Sequence, residues 1–259
     1  MSGTDRTILQ ARDRAFLKEL SIMRVIDHAQ AKVVAGFGST DRANKRLLKL
    51  TRAGLLRRFF LGSGGGRKAL YSLSEKGARF ADVPLWGLRR PQGAVLVADY
   101  FVEHQLAVNS IYCAVKFARI PVQGVAFYRW IAFQRTVTSE IRLIPDGYLE
   151  AVTPSGIMAG FLEVDLGGER LAVWREKTRK YLQLALSGAH RRLSGRDRFL
   201  VFVIANSTIR VESLRKIVAK ETQKIFRFTT LEEARGGFFL PVWKRPQGDR
   251  PEALISPSP

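Results

Sequence analysis

Apolar residues recur at helical spacing from the start of the chain. Phe16, Leu17 and Leu20 share a stripe over 10–20. A second stripe of Ile22, Val25, Ile26, Ala29 and Val33 predicts one helix over 22–35, ended by Gly36 and Gly38. Ser39 and Thr40 then offer an N-cap for DRANKRLLKLTRAG, in which Leu47, Leu48 and Leu50 turn inward and Gly54 closes the helix. Alternation replaces this period over 55–61 and 69–73. These runs flank a glycine-rich tip at 62–66, so a hairpin is expected. The segment 74–77 reads as the cap of a closing helix.

Pro84, Gly87, Pro91 and Gly93 break the pattern over 82–97. A long helix follows over 98–118, then strands within 122–137, over 140–152 around Asp146, and over 156–166. A helix is predicted over 170–186. The continuous apolar run RFLVFVI at 198–204 predicts a strand buried on both faces. A helix at 208–221, a short strand at 224–229, a turn of helix at 231–234 and a last strand at 238–243 complete the pattern. The order predicts an α/β (α+β) mixed sheet with helices on its faces. The expected organisation is a first domain over 1–82, a linker over 83–97, a second domain over 98–245 and a flexible tail over 246–259.

Charge gives the first domain a purpose. The net charge is +20, which calls for a polyanion, and nucleic acid is the usual one. Residues 1–93 hold 19 Lys and Arg against 7 Asp and Glu, whereas the remainder holds 24 against 16. Three helices and a basic hairpin make a winged helix-turn-helix. Its third helix would present Arg42, Asn44, Lys45, Arg46, Lys49 and Arg52 to the major groove of double-stranded DNA, with Arg67 and Lys68 at the wing. No apolar run reaches the 18 residues of a membrane span, and 1–13 is too polar for a secretory signal. The single cysteine, Cys113, fits a reducing cytoplasm.

Candidate chemistry gathers in 141–181. Glu163 and Asp165 lie two apart on a predicted strand and so face one side, interrupting an apolar run. Buried acids are costly unless they are paired or hold a metal. Asp146, after Pro145 on the neighbouring strand, can lie opposite them. The three carboxylates are candidate ligands for Mg²⁺ or Mn²⁺, which would polarise a phosphate. Lys177, at the edge of the following helix's apolar stripe, is the candidate fourth catalytic residue. His28, His104 and His190 are scattered, which argues against a histidine-cluster metal site.

The PDG at 145–147, the FLEVD at 161–165, the Lys177-x-x-x-Tyr181 spacing and the EHQLAVN at 103–109 together resemble the replication-relaxation family of plasmid and mobile-element proteins. That family is similar to MOB-C type mobilisation relaxases. The resemblance implies a restriction-endonuclease-like second domain of the PD-(D/E)xK type and metal-dependent nicking at a plasmid or mobile-element origin. It also implies plasmid mobilisation or replication proteins as partners. Asp146, Glu163 and Asp165 would be the ligands and Lys177 a displaced lysine, because Asp165 stands where that motif carries Lys. The alternatives are a non-catalytic winged-helix DNA-binding regulator or replication accessory with a degenerate nuclease core, and a host-defence or transposon endonuclease that cuts both strands.

Overall fold

The computed structural model describes residues 8–61, 68–87 and 99–255. The chain divides into two compact units, Met1–Cys113 and Ala114–Pro259. The division falls near the end of a long helix, later than the 83–97 stretch that the glycines and prolines suggest. Residues 88–97 of that stretch lie outside the described residues.

In the first unit, α1 (Ala11–Met23) buries Phe16, Leu17 and Leu20. The single helix expected over 22–35 does not form. Arg24 takes a left-handed backbone conformation (φ 66°) that ends α1. Val25, Ile26 and Asp27 then form β1 (Val25–Asp27), and α2 (His28–Val34) starts afterwards with the Asp27 side chain as its cap. The β-branched pair Val25 and Ile26 is fully buried in the sheet, which overrides its helical spacing. Asn109 secures the break by donating to the carbonyls of Met23 (3.0 Å) and Val25 (2.6 Å).

Next come α3 (Thr40–Arg52), capped by Ser39, then β2 (Leu56–Leu61), β3 (Lys68–Leu73) and α4 (Glu75–Ala81). The sheet has the order β1-β3-β2 and is antiparallel. The long helix α5 (Asp99–Lys116) seals one face, where Val102 and Leu106 pack with Val25, Leu70, Phe59 and Leu61.

The second unit is built on a five-stranded sheet of order β4-β5-β6-β7-β8. Its strands are β4 (Ala126–Ile131), β5 (Gly147–Thr153), β6 (Gly156–Asp165), β7 (Leu200–Ala205) and β8 (Phe226–Thr230). The β4-β5-β6 part is an antiparallel meander, and β7 and β8 run parallel to β6. The helices are α6 (Leu171–Leu186), α7 (Ala189–Ser194), α8 (Thr208–Val218) and α9 (Leu231–Gly237). One sheet face carries Tyr148, Phe161, Val201, Val203, Phe226 and Phe228, and packs on Trp174, Tyr181 and Leu184 of α6 and Val211, Leu214 and Val218 of α8. The other face holds Phe202 against Phe238 and Trp243.

Several boundaries differ from the sequence pattern. Residues 140–146 are not strand, although Ile141 and Leu143 are buried. A short helix, α7, occupies a stretch with no predicted element. The run 238–243 is not a strand. Its aromatic rings fill the space beneath Phe202, and Trp243 donates its indole N–H to the Phe238 carbonyl at 2.7 Å. The tail expected to be flexible is pinned through Ile255. Trp243 bridges Glu252, and Arg215 donates to the carbonyls of Arg245 (2.8 Å) and Gly248. Residues 256–259 lie outside the described residues.

Candidate functional site

The site forms where the meander meets α6. Asp146 lies one residue before β5 and continues its ladder, its N–H donating to the Leu162 carbonyl at 3.0 Å. Its carboxylate accepts the Val164 N–H at 2.8 Å. Gly147 pairs with Leu162, so Asp146 stands opposite Glu163. A Cβ at Gly147 would lie 2.5 Å from the Trp130 ring, so the glycine is what lets β4 and β5 close beside Asp146.

Glu163 is 2% exposed. Lys177 Nζ donates to its Oε2 at 2.9 Å, and the Tyr181 hydroxyl donates to its Oε1. Lys177 and Tyr181 are one helical turn apart on α6, so both reach one carboxylate. Lys177 also reaches Glu169, in the loop before α6, at 3.0 Å. Burial raises the Glu163 carboxyl, Lys177 opposes this, Asp146 adds to it, and the outcome is a pKa pushed up to about 7. Burial disfavours the Lys177 ammonium, but the charges of Glu163, Glu169 and Asp146 outweigh it and hold the group protonated. The structure thus brings together Asp146, Glu163 and Lys177, and adds Tyr181 and Glu169.

Asp165 lies on the same face as Glu163 but is engaged by other partners. Arg210 on α8 grips it with two hydrogen bonds, Nε at 3.1 Å and Nη2 at 2.8 Å. The Trp174 indole and the Gly167 N–H donate to the same carboxylate. Each carboxylate oxygen of Asp165 thus accepts two hydrogen bonds. Among the described residues, no three His, Cys, Asp or Glu side chains converge as a metal cage. The donors that fit Mg²⁺ or Mn²⁺ are the facing pair Asp146 and Glu163. A two-carboxylate set suits such ions, which retain waters and take further oxygens from phosphate.

A third buried acid on the same sheet face escaped the sequence pattern. Glu150 alternates with Asp146 and Tyr148 along β5, is fully buried, and is bound by Arg129, Arg196 (3.1 Å) and Tyr148 (2.9 Å). Burial raises its carboxyl, but these donors outweigh that and hold it below the usual carboxylate range. The alternation 146, 148, 150 was a signal for Glu150. Nothing in the spacing marks Arg196 or Arg210 as its neighbours' partners.

In the first unit, α3 exposes Arg42, Asn44, Lys45, Lys49 and Arg52. Lys45 pairs with Asp41 at 2.9 Å, both well exposed. Arg46 is a correction to the outward set. Its guanidinium turns inward, donating to the buried Asp13 (Nε 2.8 Å) and to the Ile8 carbonyl (2.9 Å), and so ties α3 to α1. Lys68, at the hairpin, pairs with Asp27 at 2.5 Å. Arg67 lies outside the described residues. No described helix is long and apolar enough to cross a membrane.

The two units thus make a mixed α/β protein with a small basic unit and a sheet unit that buries a carboxylate–lysine cluster. The model of the replication-relaxation family matches residues 15–196, and the chain belongs to that family. This places it with proteins of replication and mobilisation. Neither a curated protein nor a solved structure matches the chain.

Proposed function

We propose that the chain is a DNA-binding, metal-dependent endonuclease that nicks one strand at a plasmid or mobile-element origin. The observation that carries this reading is the facing of Asp146 and Glu163 across β5 and β6, with Lys177 on Glu163. A meander followed by parallel strands, with acids on the inner strands, supports a restriction-endonuclease-like core. The order α1-β1-α2-α3-β2-β3 in the first unit supports a winged helix. Asp146 and Glu163 are the residues that would hold a divalent ion, which would supply polarisation of the phosphate and activation of a water. The β5–β6 ladder, extended by the Asp146 N–H to the Leu162 carbonyl, sets Asp146 opposite Glu163. Lys177 holds a proton and a positive charge beside the reacting phosphate. Tyr181 fixes the Glu163 carboxylate, and α3 presents Lys49 and Arg52 to the DNA backbone.

One observation favours a second reading, a binding protein whose core does not cut. Asp165 stands where the motif carries lysine, and Arg210 and Trp174 already occupy it. Incubation with supercoiled DNA carrying the origin region, in Mg²⁺ or Mn²⁺, separates the two. Open circles from wild type, lost in Asp146→Ala and Glu163→Ala, are expected. Intact supercoils from wild type, with binding unaffected by either substitution, would establish the second reading instead.

A further inference from the structure

β4 is the outer strand of the five-stranded sheet, and it carries a bulge: Phe127 pairs with Ala151 and Arg129 with Glu150, leaving Tyr128 between them. A bulge re-aims a side chain. Tyr128 is 55% exposed, and the Arg196 guanidinium lies 5.9 Å from its ring centroid.

Arg196 links the ring to the buried Glu150. Arg129 binds its Oε1, and Arg196 binds its Oε2 at 3.1 Å. A buried carboxylate needs one cation to neutralise it, so this cluster holds one positive charge in excess. The Arg129 and Arg196 side chains are 38% and 32% exposed, so that charge reaches the surface. The Ser194 carbonyl accepts a further bond from Arg129 at 3.3 Å. Both guanidinium groups are therefore fixed before any ligand arrives. Fixed guanidinium forks suit phosphate oxygens, and an exposed aromatic face beside them suits an unstacked base.

We propose that Tyr128, Arg129 and Arg196 form a subsite for single-stranded DNA, in which Tyr128 stacks on a base and the two arginines hold an adjacent phosphate. This inference rests on the reading of the chain as a DNA nickase. A duplex offers phosphates but no free base face, so Tyr128 makes the subsite selective for an unpaired strand. Asp146, just before β5, and Glu150 on β5 lie four residues apart, a rise of about 13 Å at about 3.3 Å per residue. The separation between the Glu150 cluster and the carboxylate pair is thus one that a few nucleotides would span.

Fluorescence anisotropy with the full chain tests this, using a labelled oligothymidylate and a labelled duplex of the same length. Tyr128→Ala is expected to weaken single-strand binding about tenfold, with duplex binding and melting temperature unchanged. Tyr128→Phe retains wild-type affinity, because stacking and not the hydroxyl is used. Arg196→Gln leaves Arg129 to neutralise Glu150 and lowers the single-strand salt slope by about 0.7. Single-strand affinity unchanged in Tyr128→Ala, an equal loss on duplex, or no single-strand binding by wild type would each overturn the subsite. Nicking by wild type alongside any of those results leaves the nickase reading standing. Absence of nicking with the stacking result intact removes that reading and keeps the subsite.

Discussion

Lys177 on α6 and Glu163 on β6 form a buried ion pair, with Nζ 2.9 Å from Oε2. The pair joins the helix layer to the middle of the sheet, next to Asp146. Removing Lys177 leaves the Glu163 carboxyl desolvated and without its cation, at a cost of about 3–5 kcal/mol. Lys177→Met is therefore expected to lower unfolding stability by about 3 kcal/mol, measured by denaturant titration. The double variant Lys177→Met with Glu163→Gln removes both charges and recovers most of that loss. Simple additivity of the two single effects would show that the pair is not energetically coupled.

Asp165 and Arg210 predict a different outcome although Asp165 is only two residues from Glu163. The Asp165 carboxylate is bound by Arg210, Trp174 and the Gly167 N–H, so its work is to fasten α6 and α8 to the end of β6. Asp165→Asn should cost about 2–4 kcal/mol of stability. It should leave the Mg²⁺ concentration for half-maximal nicking where wild type has it. Asp146→Asn should reduce nicking by about 100-fold or more. A rise in the Mg²⁺ requirement of Asp165→Asn equal to that of Asp146→Asn would restore Asp165 as a metal ligand.

The contrast shows what spacing can reveal. Period-2 alternation put Glu163 and Asp165 on one face, and they are on one face. It carried no information about what packs over each of them, because Arg210 arrives from 45 residues away. The Lys177 stripe was legible because the contact lies within one strand–helix unit. The β1 strand was not, since Val25 and Ile26 fit a helical stripe equally well and only pairing with β3 decides between the two. The 238–243 run failed for a related reason. Its aromatic residues suit a strand, whereas their rings fill the sheet's underside and the backbone turns. Glu150 stands as a single acid among apolar neighbours on β5, yet full burial makes it as demanding of partners as Glu163.

Two residues on α3 that look equivalent in sequence should behave oppositely. Arg46 holds the buried Asp13, with its side chain 13% exposed, whereas Lys49 is exposed and has no ion-pair partner among the described residues. Arg46→Ala should destabilise the first unit by about 3 kcal/mol without altering the salt slope of duplex binding in the fraction that folds. Lys49→Ala should leave stability within about 0.5 kcal/mol of wild type and lower the slope of log affinity against log salt by about 0.9. Thermal melts and anisotropy at several salt concentrations check both. A slope unchanged in Lys49→Ala would remove Lys49 from the phosphate contacts.

His190 gives the second unit a defined acid sensitivity. Its ring is 2% exposed and packs among Tyr148, Phe161 and Phe199, with centroids 5.8, 5.6 and 4.6 Å away. Burial penalises the imidazolium and pushes the pKa down to about 4, from an ordinary 6.5. Between those values the unfolded chain binds more protons than the folded one, so stability rises with pH across that window. The contribution is complete above about 6.5 and is lost as pH falls through about 4, amounting to about 3 kcal/mol. His190→Gln removes the titrating ring while keeping a polar group near Ser194, whose hydroxyl lies 3.0 Å from Nε2. Its unfolding free energy should vary less between pH 4 and pH 6.5 than that of wild type, whatever its absolute value. Parallel pH profiles for the two proteins would mean that the imidazole titrates in the fold as it does in water. The packing of α7 against Phe199 would then be looser than these distances describe.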